Sequence, residues 1–272
     1  MIDQSIKLIA LDCDGTLIND EGEITERTAA ALIKAQQQGV RVALVSGRPR
    51  TGFQYEVEKL LLKAHHGLLC AYNGGMIIDV QNDEVKYEKP IKVDEVRRFL
   101  ADIERHQLVY IIDNGETLYS NDITNQYVQH ESTAHHLKLV HSPNLADNID
   151  FTPLKILLTA DKERINELYD EINEICGETL GSIRSAPFYL EITVKGVNKS
   201  SALDHICDSI GITKGNCMAF GDNYNDYEMI RDAGIGVAMG NAVESIKKVA
   251  DIVTKSNNED GIAEVLEQYG LT

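Results

Sequence analysis

Two acidic clusters and two isolated donors in this sequence have the residue types for chemistry. Asp12-Cys13-Asp14-Gly15-Thr16 follows the short apolar run Lys7-Leu8-Ile9-Ala10-Leu11. On a strand, side chains alternate, so Asp12 and Asp14 are expected on one side and Cys13 on the other. Gly221-Asp222-Asn223-Tyr224-Asn225-Asp226 follows a second apolar run, Cys217-Met218-Ala219-Phe220. Carboxylate and carbonyl oxygens with few competing thiolates or imidazoles suit Mg²⁺, which keeps several waters and takes substrate phosphate as a further ligand. Ser46-Gly47-Arg48-Pro49 offers a hydroxyl and backbone N–H groups that could cradle an anion. Lys199 stands where a helix is expected to start, and helix starts favour phosphate through free N–H groups and the macrodipole. Each feature alone has a plainer reading: an Asp-Gly turn, a helix start rich in Asp and Asn, a solvated lysine. Their convergence on one crevice is what points to phosphoryl chemistry.

That convergence needs a particular scaffold. Residues 7–11, 40–45 and 68–72 read as strands, and residues 25–38 and 51–63 read as helices between them, with Thr25 as N-cap and Gly39 as the stop. Strands separated by such helices make βαβ units and a parallel sheet. The pattern returns at the C-terminus, with strands at 217–220 and 234–238, an apolar helical stripe at Ala202, Leu203, Ile206 and Ile210, and helices near 243–250 and 261–269. Ligands of open α/β sheets bind at the carboxyl ends of the strands, so both acidic clusters and Ser46 fall on one edge, and Asp222 is expected to meet Asp12 there. Between these blocks the texture changes. Residues 84–88, 116–120 and 188–193 alternate polar and apolar, as antiparallel strands with one buried face do, among helical stretches at 94–106 and 162–176. The expected fold class is α/β: a Rossmann-like parallel-sheet core, residues 1–82 and 194–272, with an inserted α+β domain over 83–193.

Composition narrows the partners. The 272 residues carry 26 Lys and Arg against 43 Asp and Glu, a formal charge of −17, with 43% hydrophobic residues. A packed core is expected, and the acidic balance argues against nucleic acid or an anionic membrane as partner, since both need a basic footprint. No apolar stretch is long enough to span a membrane, and Met1-Ile2-Asp3-Gln4 is no signal-peptide start, so a cytoplasmic location is expected. Cys13, Cys70, Cys176, Cys207 and Cys217 are scattered, odd in number and never spaced Cys-x-x-Cys, which suggests buried reduced thiols. His130 and His135 nearly spell a zinc-protease helix, but five residues put them roughly 140° apart around the axis. No dinucleotide or P-loop glycine pattern is present.

In their order, Asp12-x-Asp14-Gly15-Thr16, Ser46, Lys199 and Gly221-Asp222-x-x-Asn225-Asp226 resemble the four motifs of the haloacid dehalogenase (HAD) superfamily of phosphotransferases. The insert between the second and third motifs resembles the type-two cap of its Cof-like branch. Cys13 departs from that branch, where an aliphatic residue or methionine is usual. The resemblance implies a Mg²⁺-dependent phosphatase for small phosphorylated metabolites, with sugar phosphates as the expected class. It implies that Asp12 takes the phosphoryl group as an aspartyl-phosphate, and that Asp14 protonates the leaving oxygen and then activates water. Implied metal ligands are Asp12, Asp14 through its carbonyl, Asp222 and Asn223. Implied phosphate contacts are Ser46, Gly47, Lys199, Asn225 and the amide of Cys13, with Asp226 orienting Lys199 or the metal's waters. The insert is expected to act as a lid, with Arg48, Asn73, Tyr189 and Glu191 as candidates for specificity. A phosphosugar mutase, a flavin or pyridoxal phosphate phosphatase and a non-catalytic sugar-phosphate sensor remain as alternatives.

Overall fold

The computed structural model describes residues 6–272, so Met1-Ile2-Asp3-Gln4 lie outside the described residues. In chain order the strands are β1 (Leu8–Leu11), β2 (Arg41–Val45), β3 (Leu68–Ala71), β4 (Met76–Asp79), β5 (Glu84–Glu88), β6 (Val109–Asp113), β7 (Thr117–Ser120), β8 (Lys138–His141), β9 (Ile156–Thr159), β10 (Leu180–Ala186), β11 (Tyr189–Val194), β12 (Cys217–Gly221), β13 (Ile235–Ala238) and β14 (Ile252–Val253). They form two sheets, in the orders β14-β13-β12-β1-β2-β3-β4-β5 and β10-β11-β9-β6-β7-β8. The chain divides into two compact units: Met1–Gly47 with Phe53–Tyr87 and Asn198–Thr272, and Arg48–Gly52 with Glu88–Val197.

In the first unit β1 pairs in parallel with both β2 and β12, and β3, β13 and β14 extend the parallel run. β1 and β12 are buried along their whole length, as expected of strands covered on both faces. From β1 the chain winds outward through β2 and β3, and from β12 it winds the other way through β13 and β14. The carboxyl ends of β1 and β12 therefore flank the topological switch point, where this kind of sheet opens a crevice.

Local sequence sets the helices around it. Thr25 caps the helix Glu26–Gln37 by accepting a hydrogen bond from the Thr28 N–H at 3.2 Å, and Gly39 ends it at φ +89°. Asn198 caps the helix Lys199–Ile210 by accepting from the Ser201 N–H at 2.8 Å, and Gly211 closes it at φ +71°. The expected helix over 51–63 is shorter: a 3₁₀ turn Arg50–Phe53 leads into Gln54–Lys59, and Leu61 turns to φ +54°.

The boundary between the units differs from the expected 83–193. Glu84–Glu88 alternates polar and apolar because it is the exposed edge of the first sheet beside β4, not because it opens the insert. A polar edge strand and a half-buried antiparallel strand have the same pattern in sequence. The second unit also claims Arg48–Gly52 and runs on to Val197.

Within the second unit, β7 and β8 are parallel and the other pairings antiparallel. Helices Val93–Ile103 and Lys162–Cys176 cover one face of its sheet, where Phe99, Leu100, Ile165 and Ile172 pack with Ile112, Ile156, Leu158 and Leu190. The opposite face carries a smaller cluster of Ile111, Leu118, Val128, Leu137 and Leu157. All five cysteines are buried and outside any disulfide. Among the described residues, no helix is long and apolar enough to cross a membrane.

Candidate active site

β1 ends at Leu11 and β12 at Gly221, and the two acidic clusters follow directly. The register Leu11 to Phe220 brings Asp12 beside the Asp222 loop, and the Asp12 N–H donates to the Phe220 carbonyl at 3.1 Å. Ligand oxygens of Asp12, Asp222 and Asp226 all lie within 4.8 Å of one another. The two segments expected to meet do meet.

Lys199 enters this group from the first turn of its helix. Its side chain is completely buried, and its Nζ donates to Asp12 Oδ1 at 2.5 Å and to Asp226 Oδ1 at 2.6 Å. The other oxygen of Asp226 accepts from the backbone N–H groups of Asp222 at 2.9 Å and Asn223 at 3.0 Å. Asp226 thus spends both oxygens on protein donors, fixing the ammonium and the loop at once. Gly221 is required here, since a Cβ on it would lie 2.6 Å from Cγ of Asp226.

Thr16 donates from Oγ1 to Asp222 Oδ1 at 2.8 Å. Gly15 turns at φ +80°, and a Cβ on it would come within 2.6 Å of Asp222 Oδ2. The glycine is what allows the first loop to close over the second carboxylate.

The electrostatics are those of a crowded anionic site. Burial, reinforced by Asp226, holds the Asp12 carboxyl well above its ordinary value despite the opposing pull of Lys199. Burial and Asp226 likewise push Asp222 up to about 6, against the Thr16 hydrogen bond and Lys199. Burial works against the Lys199 charge, but Asp12 and Asp226 more than offset it and hold the ammonium above its usual range. Three carboxylates face one ammonium, an excess of two negative charges when all are ionised. The oxygen-only donor set and that excess fit a hard divalent cation.

Asp14 lies outside this buried group. The strand stops at Leu11, so the alternation that would align Asp14 with Asp12 does not reach it. It stands exposed in a turn, bridged to Ile18 through the backbone, and its charge adds to the upward push on Asp12. The side-chain oxygen of Asn223 caps the turn Tyr224–Asp226 by accepting from the Tyr224 N–H at 2.9 Å. Cys13 is buried. Ser46 is buried at the end of β2, where its N–H donates to the Cys70 carbonyl and its carbonyl accepts from the Asn73 N–H, both at 2.9 Å. Gly47 follows it, half-buried. Asn225 donates from Nδ2 to Asn73 Oδ1 at 3.1 Å. Asn73, offered as a specificity residue, is completely buried at φ +54° and positions Asn225.

Arg48, Tyr189 and Glu191 belong to the second unit. The Arg48 guanidinium donates to the Gly52 carbonyl at 2.9 Å. Glu191 is buried and paired with buried Lys155 at 3.2 Å. Burial alone would lower the Lys155 pKa, but Glu191 and Glu131 hold it above its ordinary value. Burial opposes ionisation of Glu131, yet the His135 hydrogen bond and Lys155 bring it down to about 2. Tyr189 packs edge-on against Tyr127 and Phe188, and burial raises its phenol. The sequence reading missed Lys155, Glu131 and His135 as one polar cluster. The one signal was a lysine opening the apolar run Ile156-Leu157-Leu158.

A doubly wound sheet with a buried carboxylate, an ammonium and a cation-ready acidic pair at its switch point defines a phosphoryl-transfer hydrolase. Residues 9–266 match the family model for haloacid dehalogenase-like hydrolases, and the chain belongs to that family. A solved haloacid dehalogenase-like hydrolase from Bacteroides thetaiotaomicron is 34% identical with a TM-score of 0.87, covering 97% of this chain and 99% of that one. The solved HAD subclass IIB sugar phosphatase BT4131 is 28% identical with a TM-score of 0.83, covering 98% and 100%. The 5-amino-6-(5-phospho-D-ribitylamino)uracil phosphatase YcsE of Bacillus subtilis is 30% identical over 270 residues, covering 99% of this chain and 98% of that protein. The chain is an enzyme, a phosphatase of this family.

Proposed function

We propose that the protein is a Mg²⁺-dependent phosphatase of small phosphorylated metabolites, sugar phosphates foremost, working through an aspartyl-phosphate at Asp12. The observation that carries this is the buried Asp12–Lys199–Asp226 array beside Asp222. A phosphate monoester carries about −1.5 to −2 charges near pH 7, so a carboxylate cannot approach it unless positive charge is already in place. Lys199 supplies one such charge, held by Asp226 so that it does not have to reorganise during the reaction. Asp12, Asp222 and the Asp14 carbonyl are the groups to hold Mg²⁺, which would neutralise phosphoryl oxygens as a Lewis acid. Asn223 is the further candidate ligand, while Asp226, with both oxygens on protein donors, orients Lys199.

In the first step an Asp12 oxygen bonds to phosphorus as the bond to the leaving oxygen breaks, and Asp14 gives that oxygen its proton. In the second, Asp14 takes a proton from water as the water attacks phosphorus and frees the Asp12 carboxylate. Such acid–base help contributes roughly 10²–10⁴ in rate. Asp14 is exposed, as a group must be that meets varied leaving groups. Ser46, Gly47, Asn225 and the Cys13 amide are the proposed phosphate donors. The second unit is proposed as the lid that selects the leaving group, with Arg48, Tyr189 and Glu191 as its candidates. Sugar phosphates are favoured by the subclass IIB sugar phosphatase among the structural relatives, and the uracil phosphatase also acts on a phosphorylated sugar-like chain. The test is phosphate release from a panel of phosphorylated sugars, nucleotides, flavin and pyridoxal phosphates, with and without Mg²⁺. Mg²⁺-dependent release concentrated on sugar phosphates supports the proposal. Release that ignores Mg²⁺, or that excludes sugars, refutes it.

A further inference from the structure

The loop that carries Asp14 is held from outside the acidic cluster by two asparagines that the four motifs do not include. Asn241 follows β13 in Met239-Gly240-Asn241, and its Nδ2 donates to the Gly15 carbonyl at 2.7 Å. Its Oδ1 accepts from the backbone N–H of Asn257 at 3.1 Å. Asn257 is buried, and its Nδ2 donates to the Ile18 carbonyl at 2.9 Å. Both side-chain amides therefore grip the segment after Asp14, one at Gly15 and one at Ile18. On the other side of Gly15 stands Asp222, close enough to forbid a Cβ. Thr16 is tied to that same carboxylate, and the Ile18 N–H donates to the Cys13 carbonyl at 3.0 Å.

We propose that Asn241, seated by Asn257, is a positioning residue for Asp14. By fixing the Gly15–Thr16 peptide, it sets the direction from which the Asp14 carboxyl meets the leaving oxygen. The reason lies in the glycine. A residue at φ +80° without a Cβ has more backbone freedom than any other, so the turn after Asp14 needs an outside partner to hold one conformation. A general acid works only within about 2.6–3.2 Å of the oxygen it protonates, and a misplacement of about 1 Å can cost roughly 10² in rate. Asn241 itself is exposed, so its amide is not a core contact whose loss unfolds the protein. This inference rests on the acid–base role proposed for Asp14.

The test compares turnover of a sugar phosphate, whose leaving alkoxide needs a proton, with that of p-nitrophenyl phosphate, whose leaving group does not. Both are measured at saturating Mg²⁺ for wild type, Asn241→Ala, Asn241→Asp and Asp14→Asn. Asn241→Asp keeps the size and the acceptor for Asn257 but loses the donor to Gly15. Both Asn241 variants should lose about 10- to 100-fold in kcat on the sugar phosphate and under about threefold on the aryl ester. In the Asp14→Asn background, Asn241→Ala should cost nothing more on either ester, because the group it positions is gone. Equal losses on both esters, or no loss, in the Asn241 variants while Asp14→Asn is selective would overturn this inference alone. An unselective Asp14→Asn would overturn the acid–base reading and this inference with it.

Discussion

Lys199→Met removes the ammonium from a site whose three carboxylates lie within 4.8 Å of one another, and it does so at a completely buried position. The methionine fills much of the space but leaves Asp12 and Asp226 buried without the ammonium that both of them bind. Breaking a buried ion pair by deleting one partner costs about 3–5 kcal/mol. For a unit of this size that lowers Tm by roughly 6–20 °C, at about 2–4 °C per kcal/mol. The loss should depend on pH in a definite direction. Burial and Asp226 already hold the Asp12 carboxyl above its ordinary value, and removing Lys199 raises it further. A carboxyl whose folded-state pKa is raised stabilises the fold while protonated, and that contribution disappears as pH rises through the folded pKa. The gap between variant and wild type should therefore be widest near pH 8 and shrink toward pH 5. Melting curves by circular dichroism, without divalent ions, across that range provide the assay. A gap that is absent at pH 8, or that stays constant with pH, would refute the counter-ion role.

Asp12→Asn should abolish turnover while Tm holds or rises, since it removes one charge from an over-negative cluster and keeps an acceptor for Lys199; kinetics and melting on the same preparation check both halves. Asp222 is held at about 6 against an ordinary 3.8, so its ionisation costs the metal-free fold about 3 kcal/mol as pH rises through that window. Mg²⁺ should accordingly raise Tm more at pH 8 than at pH 5, and equal shifts in a thermal titration would contradict this. Gly15→Ala forces a Cβ against Asp222 at φ +80°, so the Mg²⁺ concentration for half-maximal activity should rise about 10- to 100-fold, read from activity against metal concentration.

Much of the first unit was legible because its signals are local. Thr25 and Gly39 mark a helix by their own chemistry, and the uninterrupted apolar runs of β1 and β12 mark strands buried on both faces. The meeting of Asp12 with Asp222 followed from topology, since parallel strands deliver their carboxyl ends to one edge. What escaped were consequences of side-chain partnership. The cap that Asn223 places on its own turn shows only in the packed loop. Nothing in the sequence shows that the Asn73 side-chain oxygen accepts from Asn225. β5 escaped for a different reason, since its alternation reports one exposed face without saying which sheet supplies the other. Lys155 and Glu131 lie 24 positions apart in sequence and form one buried cluster only after β9 and the helix Gln126–Ala134 pack together.

The central claim is that Asp12 becomes covalently phosphorylated during turnover. Quenching the enzyme in mid-turnover with a sugar phosphate and Mg²⁺, reducing with borohydride and sequencing the peptides by mass spectrometry tests it directly, because an acyl phosphate is reduced to the alcohol and a free carboxylate is not. The account predicts homoserine at position 12, only when substrate and Mg²⁺ are both present. An unmodified Asp12 in enzyme that is releasing phosphate, or homoserine at Asp14 or Asp222 instead, would contradict it.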